Sequence, residues 1–117
     1  MSMIDTPNIT VLERYLDLTA TRQALISSNV ANIDTPGYKT VDIDFDREMS
    51  RAMADPSGPV TPVVEHVQGL IERPDGNNVN IDRESLLLSQ TQMRFTAAIQ
   101  LMRAEFRNLT DAIGGGS

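Results

Sequence analysis

The chain has 117 residues, with 10 Lys and Arg against 16 Asp and Glu and a formal net charge of −6. That balance argues against a nucleic-acid backbone as partner, because phosphate binding needs clustered cations and the basic residues here are scattered. One domain is expected at this length. With no Trp, two Tyr and three Phe, its core must come from Leu, Ile, Val and Met on helices. The absence of cysteine excludes disulfides and thiolate metal sites. Met1 to Thr10 carry Asp5 and Pro7 and lack both a basic start and an apolar run, so no cleaved secretory signal is read. No stretch is apolar for long enough to span a bilayer, and composition alone points to the cytoplasm.

From Ile9 the pattern is helical, with Asp5, Thr6 or Asn8 available to cap and Pro7 where a first turn tolerates it. Ile9, Leu12, Leu16, Thr19, Gln23, Ile26, Val30 and Ile33 step alternately by three and four residues, the spacing of a coiled-coil seam. Val11, Tyr15, Leu18 and Leu25 make a second stripe, and a helix apolar on two faces needs more than one neighbour.

The helix closes on Asn29 and Asn32, one turn apart, and stops at Thr35-Pro36-Gly37-Tyr38. Proline disfavours helix in the residue before it, and Pro-Gly at the centre of four residues marks a type II turn with Gly37 at positive φ. Asn is a poor helix former because its amide competes for backbone groups, so two at one helix end imply local bonding or contact with a partner.

Beyond the turn, Val41 to Asp46 alternates apolar and acidic residues, the pattern of an extended strand with one wet side. A short helix is expected over 47–54, with Asp46 as N-cap. Residues 55–80 hold Pro56, Pro59, Pro62 and Pro74 among Gly58, Gly69 and Gly76. They read as mobile loop with strand-like fragments at Val63-Val64 and Val67 to Ile71, and a turn at Arg73-Pro74-Asp75-Gly76-Asn77.

A second long helix starts with Asp82 as its expected cap, and Gly114-Gly115-Gly116 ends it. Its seam is Leu88, Gln92, Phe95, Ile99, Met102, Phe106, Leu109 and Ile113, interrupted only by Gln92. The two seams match in reverse, Ile9 opposite Phe106, Leu16 opposite Ile99 and Ile26 opposite Leu88, which sets Gln23 against Gln92 as a register-fixing polar layer. The fold class is therefore mainly α: N- and C-terminal helices paired as an antiparallel coiled coil around a short, mostly irregular middle with minor β. Its parts are 1–33, the first helix; 34–81, the turn, strand and Pro/Gly-rich middle; and 82–117, the last helix and Gly tail. The second stripe, with Leu86, Met93, Ala97, Leu101 and Ala104 on the last helix, looks to other copies or related chains for cover.

No active site assembles from these residues. Asp42, Asp44 and Asp46 share one face of the expected strand, but a calcium loop starting at Asp42 would need Gly in place of Arg47 and Glu in place of Met53. A solvated strand face is the reading. The spacing also fails at Asp75 to Asn80, where Gly76 comes too early. His66, the one histidine, sits in the Pro-rich stretch without partners for acid-base or metal work. No enzyme, metal or cofactor is expected. The sequons at Asn8 and Asn108 fall in helical segments and read as chance matches.

Asn29-Val30-Ala31-Asn32, two residues, then Thr35-Pro36-Gly37-Tyr38 resembles the N-terminal signature of flagellar rod and hook proteins. With the Val41 to Phe45 stretch, the Arg73 to Asn80 segment and the C-terminal helix, the whole chain is similar to the flagellar basal-body rod proteins, and most to their short proximal members. The resemblance implies a structural subunit of the drive shaft, self-assembling into a helical rod that transmits torque. It implies export without a cleaved signal through the flagellar type III apparatus and residence in the periplasmic rod. The partners it implies are other rod subunits, further copies of the chain and the membrane-ring adaptor at the rod base, with no nucleic acid and no direct membrane insertion. By the same analogy Asn29, Asn32, Thr35, Pro36, Gly37 and Tyr38 build an inter-subunit joint. Another rod or hook-family axial protein and a cytoplasmic coiled-coil adaptor or chaperone are the alternatives.

Overall fold

The computed structural model describes residues 7–58 and 61–114 and runs α1 (Pro7–Ala31), β1 (Val41–Ile43), α2 (Phe45–Ala54), β2 (Val64–His66) and α3 (Ile81–Gly114). The cap candidates Asp5 and Thr6, Pro59 of the middle segment, and Gly115 to Ser117 lie outside the described residues. The molecule measures 69 × 25 × 18 Å, with a radius of gyration of 18.1 Å. A compact chain of this length would have about 13 Å. The length comes from α3, whose 34 residues extend roughly 51 Å at ~1.5 Å per residue.

α1 and α3 pack as an antiparallel hairpin, the end of α1 meeting the start of α3 through Asn29 and Glu84. Ile9 and Ile26 of the expected seam are buried, as is Thr19, whose hydroxyl is satisfied by the Tyr15 carbonyl at 2.7 Å. Leu12, Leu16, Leu88, Ile99, Met102 and Leu109 are half-buried. Gln23 and Gln92 are both exposed, as are Val30, Phe95 and Phe106. The polar layer expected from Gln23 and Gln92 is therefore absent from the helix interface. α3 is instead rolled so that Glu84, Thr91 and Ala98, a heptad apart, lie deepest. The cause is local: Glu84 is drawn inward by Asn29 and Arg83, and the small Thr91 and Ala98 then take the close positions on the same line.

The second stripe of α1 finds its cover inside this chain, not in another copy as the periodicity suggested. Leu18 packs with Ile43 and Phe45, flanked by Tyr15, Leu25 and Met49. The short α2 is strongly amphipathic, so Phe45 and Ala52 are buried while Arg51 and Met53 face water. It begins two residues before the expected start because Asp44, not Asp46, is the N-cap, its carboxylate accepting from the Arg47 N–H at 3.1 Å. Asn80, not Asp82, plays that part for α3, accepting from the Arg83 N–H at 3.0 Å.

The strand expected over 41–46 shortens to β1, which pairs antiparallel with β2 in the register Val41↔His66, Asp42↔Glu65, Ile43↔Val64. Asp42 is not on a solvated face but is 6% exposed. The middle segment, expected to be loose, is tied by this ladder and by Arg14, which donates to the carbonyls of Pro56 and Gly58.

Candidate functional site

The features that the sequence singled out converge where α1 ends. Asn29 is 1% exposed and uses its whole hydrogen-bonding capacity. Its Nδ2 donates to the Val41 carbonyl at 2.9 Å and to Glu84 Oε1 at 2.6 Å. Its Oδ1 accepts from the Val41 N–H at 3.1 Å and from the Tyr38 hydroxyl at 3.0 Å. Toward Val41 the side-chain amide does what a neighbouring strand would do, so the free side of β1 is closed by a helix residue.

The type II turn forms as expected, with Gly37 at φ 74 and the Tyr38 N–H on the Thr35 carbonyl at 3.2 Å. A second loop, 72–80, clasps it from outside. Gly37 N–H donates to the Asp75 carbonyl at 2.8 Å, Asn78 N–H to the Tyr38 carbonyl at 3.2 Å, and Lys39 Nζ to Glu72 at 2.7 Å and to the Gly76 carbonyl. Asn77, fully buried, donates to the carbonyls of Asn32 and Thr35 at 2.9 and 2.8 Å. Each of these carbonyls, which also accepts a backbone N–H within the turn, thereby gains a second donor. Arg73 reaches the Ile33 carbonyl beside it. Asn78 Oδ1 accepts from both the N–H and the hydroxyl of buried Thr40, at 2.7 and 2.8 Å.

Gly76 sits where the loops cross. Its φ is +83 and a Cβ there would lie 3.4 Å from the Gly37 Cα. Gly76→Ala is expected to cost about 1–2 kcal/mol through the left-handed backbone alone, read as a lower urea midpoint with an unchanged m-value.

Beneath the turn lies a neutral group of charges. Asp42 receives Arg22 of α1 at 3.0 Å and Arg83 of α3 at 2.7 Å, and Arg83 also reaches Glu84 at 2.7 Å. Two guanidinium groups thus balance two carboxylates of which Glu84 is fully buried. This is the arrangement that lets charges leave water, since each is both paired and hydrogen-bonded. Among the described residues no buried side-chain nitrogen or oxygen lacks a partner.

Of the six signature residues, Asn29 is spent inside the chain, and Tyr38 is half-buried against it. Asn32 braces the turn, its Nδ2 on the Ser28 carbonyl at 2.8 Å and its Oδ1 accepting from Thr35 at 3.0 Å. Thr35, Pro36 and Gly37 are exposed at the tip. Sequence reasoning missed Thr40, Asp42, Asn77, Asn78, Arg83 and Glu84. Asn stands at 77, 78 and 80, but nothing in that run says that the first two close a turn some 40 residues earlier while the third caps α3.

The site holds backbone in place, its carboxylates matched by arginines and its amides by carbonyls. Among the described residues no group of three or more His, Cys, Asp or Glu side chains is placed to hold a metal ion. His66 lies exposed in β2, opposite Val41. No described helix is long and apolar enough to cross a membrane.

The family of proteins described as "Flagella basal body rod protein" matches residues 13–39, from the middle of α1 through the Pro-Gly turn. Similar proteins extend the match over nearly the whole chain. The flagellar basal body rod protein FlgB of Bacillus subtilis is 31% identical over 90% of this chain and 92% of its own length. That of Salmonella typhimurium is 27% identical over 90% and 91%, and that of Borreliella burgdorferi 30% over 82% and 87%. With nearly a third of its residues identical over most of both chains, the chain belongs to the FlgB family of flagellar basal body rod proteins.

Proposed function

We propose that the chain is a structural subunit of the flagellar basal body rod, packing through its helix faces against further copies and related rod subunits to build a shaft that carries torque. The observation that supports this most is the outer face of α3. Leu86, Met93 and Leu101 there are 60%, 72% and 57% exposed. From Ser85 to Met102 the only charged residue is Arg94, and its guanidinium is folded over the Phe45 ring at 4.6 Å. A long helix face without exposed charge, apolar at intervals, is suited to burial against other helices. Contacts of this kind, head to tail and not closing on themselves, generate a helical rod.

Within that reading the joint serves as a rigid corner. It holds the exposed Thr35-Pro36-Gly37 tip as the contact offered to a neighbouring subunit, while Asn29, Asn32 and Tyr38 fix the tip from behind. The membrane-ring adaptor at the rod base and the flagellar type III export apparatus are the further partners, and the periplasmic rod, reached without a cleaved signal, is the location. We read the protein as non-catalytic and without cofactor.

Met93→Glu with Leu101→Glu tests the assembly face. The pair places two carboxylates on an exposed surface, so the helix content of the isolated chain stays at the wild-type level. Swimming and recovery of the chain in isolated basal bodies are expected to fall to the level of the deletion strain, and normal swimming by the double variant would refute the assignment.

A further inference from the structure

The 72–80 loop that clasps the turn carries at its own tip the one Asp-Gly pair in the sequence, Asp75-Gly76. No Asn in the chain is followed by Gly or Ser, so this pair is where ring closure between a side chain and the next backbone nitrogen meets least hindrance. Glycine has no Cβ to keep its nitrogen from the preceding side chain. In an unfolded chain the Gly76 nitrogen attacks Asp75 Cγ. The N–H proton and the hydroxyl of the protonated carboxyl leave together as water, and a succinimide ring closes. Water then opens the ring at either carbonyl. Breaking the bond from nitrogen to Cγ restores aspartate, whereas breaking the bond to the original backbone carbonyl leaves isoaspartate, with the main chain running through Cβ and Cγ.

In the folded chain both reacting groups are engaged elsewhere. Gly76 N–H donates to the Arg73 carbonyl at 2.8 Å, which holds the proton that must leave and fixes the nitrogen in the turn. Asp75 Oδ1 accepts from the Asn77 N–H at 2.9 Å, so the carboxylate is turned to the residue beyond Gly76. The backbone around them is tied as well. Arg73 N–H donates to the Asn77 carbonyl at 2.8 Å, Gly37 N–H donates to the Asp75 carbonyl at 2.8 Å, and Lys39 donates to the Gly76 carbonyl. Bringing the Gly76 nitrogen onto Cγ requires these bonds to break together.

We propose that Asp75 is a site of spontaneous isomerisation gated by the fold: it passes to isoaspartate through a succinimide while the clasp is open, and closing the clasp stops the reaction. The product cannot close the joint. Isoaspartate adds one carbon to the backbone between residues 75 and 76 and takes out of the main chain the carbonyl that receives Gly37 N–H. Asn77, two residues on, then loses its register against the carbonyls of Asn32 and Thr35. Folding and chemical ageing thus compete for one loop, whatever the chain assembles with.

Incubation of the full-length chain in warm neutral buffer made with heavy-oxygen water, with and without guanidinium chloride, tests this. Ring opening incorporates solvent oxygen, and electron-transfer fragmentation in a mass spectrometer tells isoaspartate from aspartate at residue 75. Isoaspartate is expected to accumulate at least about tenfold faster in the denatured chain, since the native chain reacts only in the fraction of molecules whose clasp is open. Lys39→Met removes the ties to Glu72 and to the Gly76 carbonyl from the outside of the loop. With circular dichroism at the wild-type level, it should raise the native rate about two- to tenfold and leave the denatured rate as it was. The isoaspartate form, separated and returned to native buffer, should unfold at a lower urea midpoint than the aspartate form. Equal rates in native and denatured chain, no heavy oxygen at Asp75 in the denatured chain, a native rate unmoved by Lys39→Met, or a wild-type midpoint for the isomerised form would each overturn the proposal.

Discussion

Glu84→Leu is expected to destabilise the chain by about 3–5 kcal/mol, the range for removing one member of a buried ionic pair. Glu84 has no exposed surface and accepts from Asn29 at 2.6 Å and Arg83 at 2.7 Å. Leucine supplies comparable bulk but no acceptor, so an Asn29 N–H is left buried without a partner. The charge group goes from two arginines and two carboxylates to an excess of one cation. Glu84→Gln separates the two causes. Its amide oxygen still serves Asn29, so it should retain more stability than the leucine variant while losing the charge attraction to Arg83. Urea unfolding followed by far-ultraviolet circular dichroism measures both. Equal midpoints for wild type and Glu84→Leu would show that the buried carboxylate does not hold the helices together.

Phe45→Ala is expected to cost about 3–5 kcal/mol, the usual range for truncating a buried aromatic residue. The ring is 6% exposed between Leu18 and Ile43, meets Tyr15 edge-on at 5.3 Å and 82°, and carries the Arg94 guanidinium on its face. One side chain thus joins the start of α2 to both long helices. Phe45→Leu keeps most of the apolar contact and loses only the ring geometry, so a smaller loss, about 1–2 kcal/mol, is expected from the aromatic and cation contributions. If Phe45→Leu leaves the urea midpoint at the wild-type value, the ring contacts contribute nothing beyond bulk.

The two long helices, the turn between them and the family likeness were legible because each rests on information local in sequence. A three-four alternation of apolar residues defines a helix face whatever packs on it, and Pro36-Gly37 defines a turn through backbone sterics alone. Antiparallel pairing followed, since the seams match in reverse. The rotation of α3 did not, and Gln23 and Gln92 stand in water. Periodicity fixes that a helix has an apolar side but not which residue on that side lies deepest. That choice fell to Glu84, held by partners 55 residues away at Asn29 and one residue away at Arg83.

Asp42 shows the same limit. Its alternation with Val41 and Ile43 suggests a wet face, yet Arg22 and Arg83 arrive from two different helices and bury it. Charge spacing within six residues cannot report cations brought from elsewhere. The sequence by itself determined the helices, their stops, the absence of cysteine chemistry and the likeness to rod proteins. The tertiary structure alone decided that the turn is closed by the 72–80 loop, that the second stripe of α1 is covered within the chain, and that the signature asparagine works inward. Hydrogen bonds and ion pairs between distant segments depend on which atoms meet, and a linear pattern of residue types records only what each segment has available to offer.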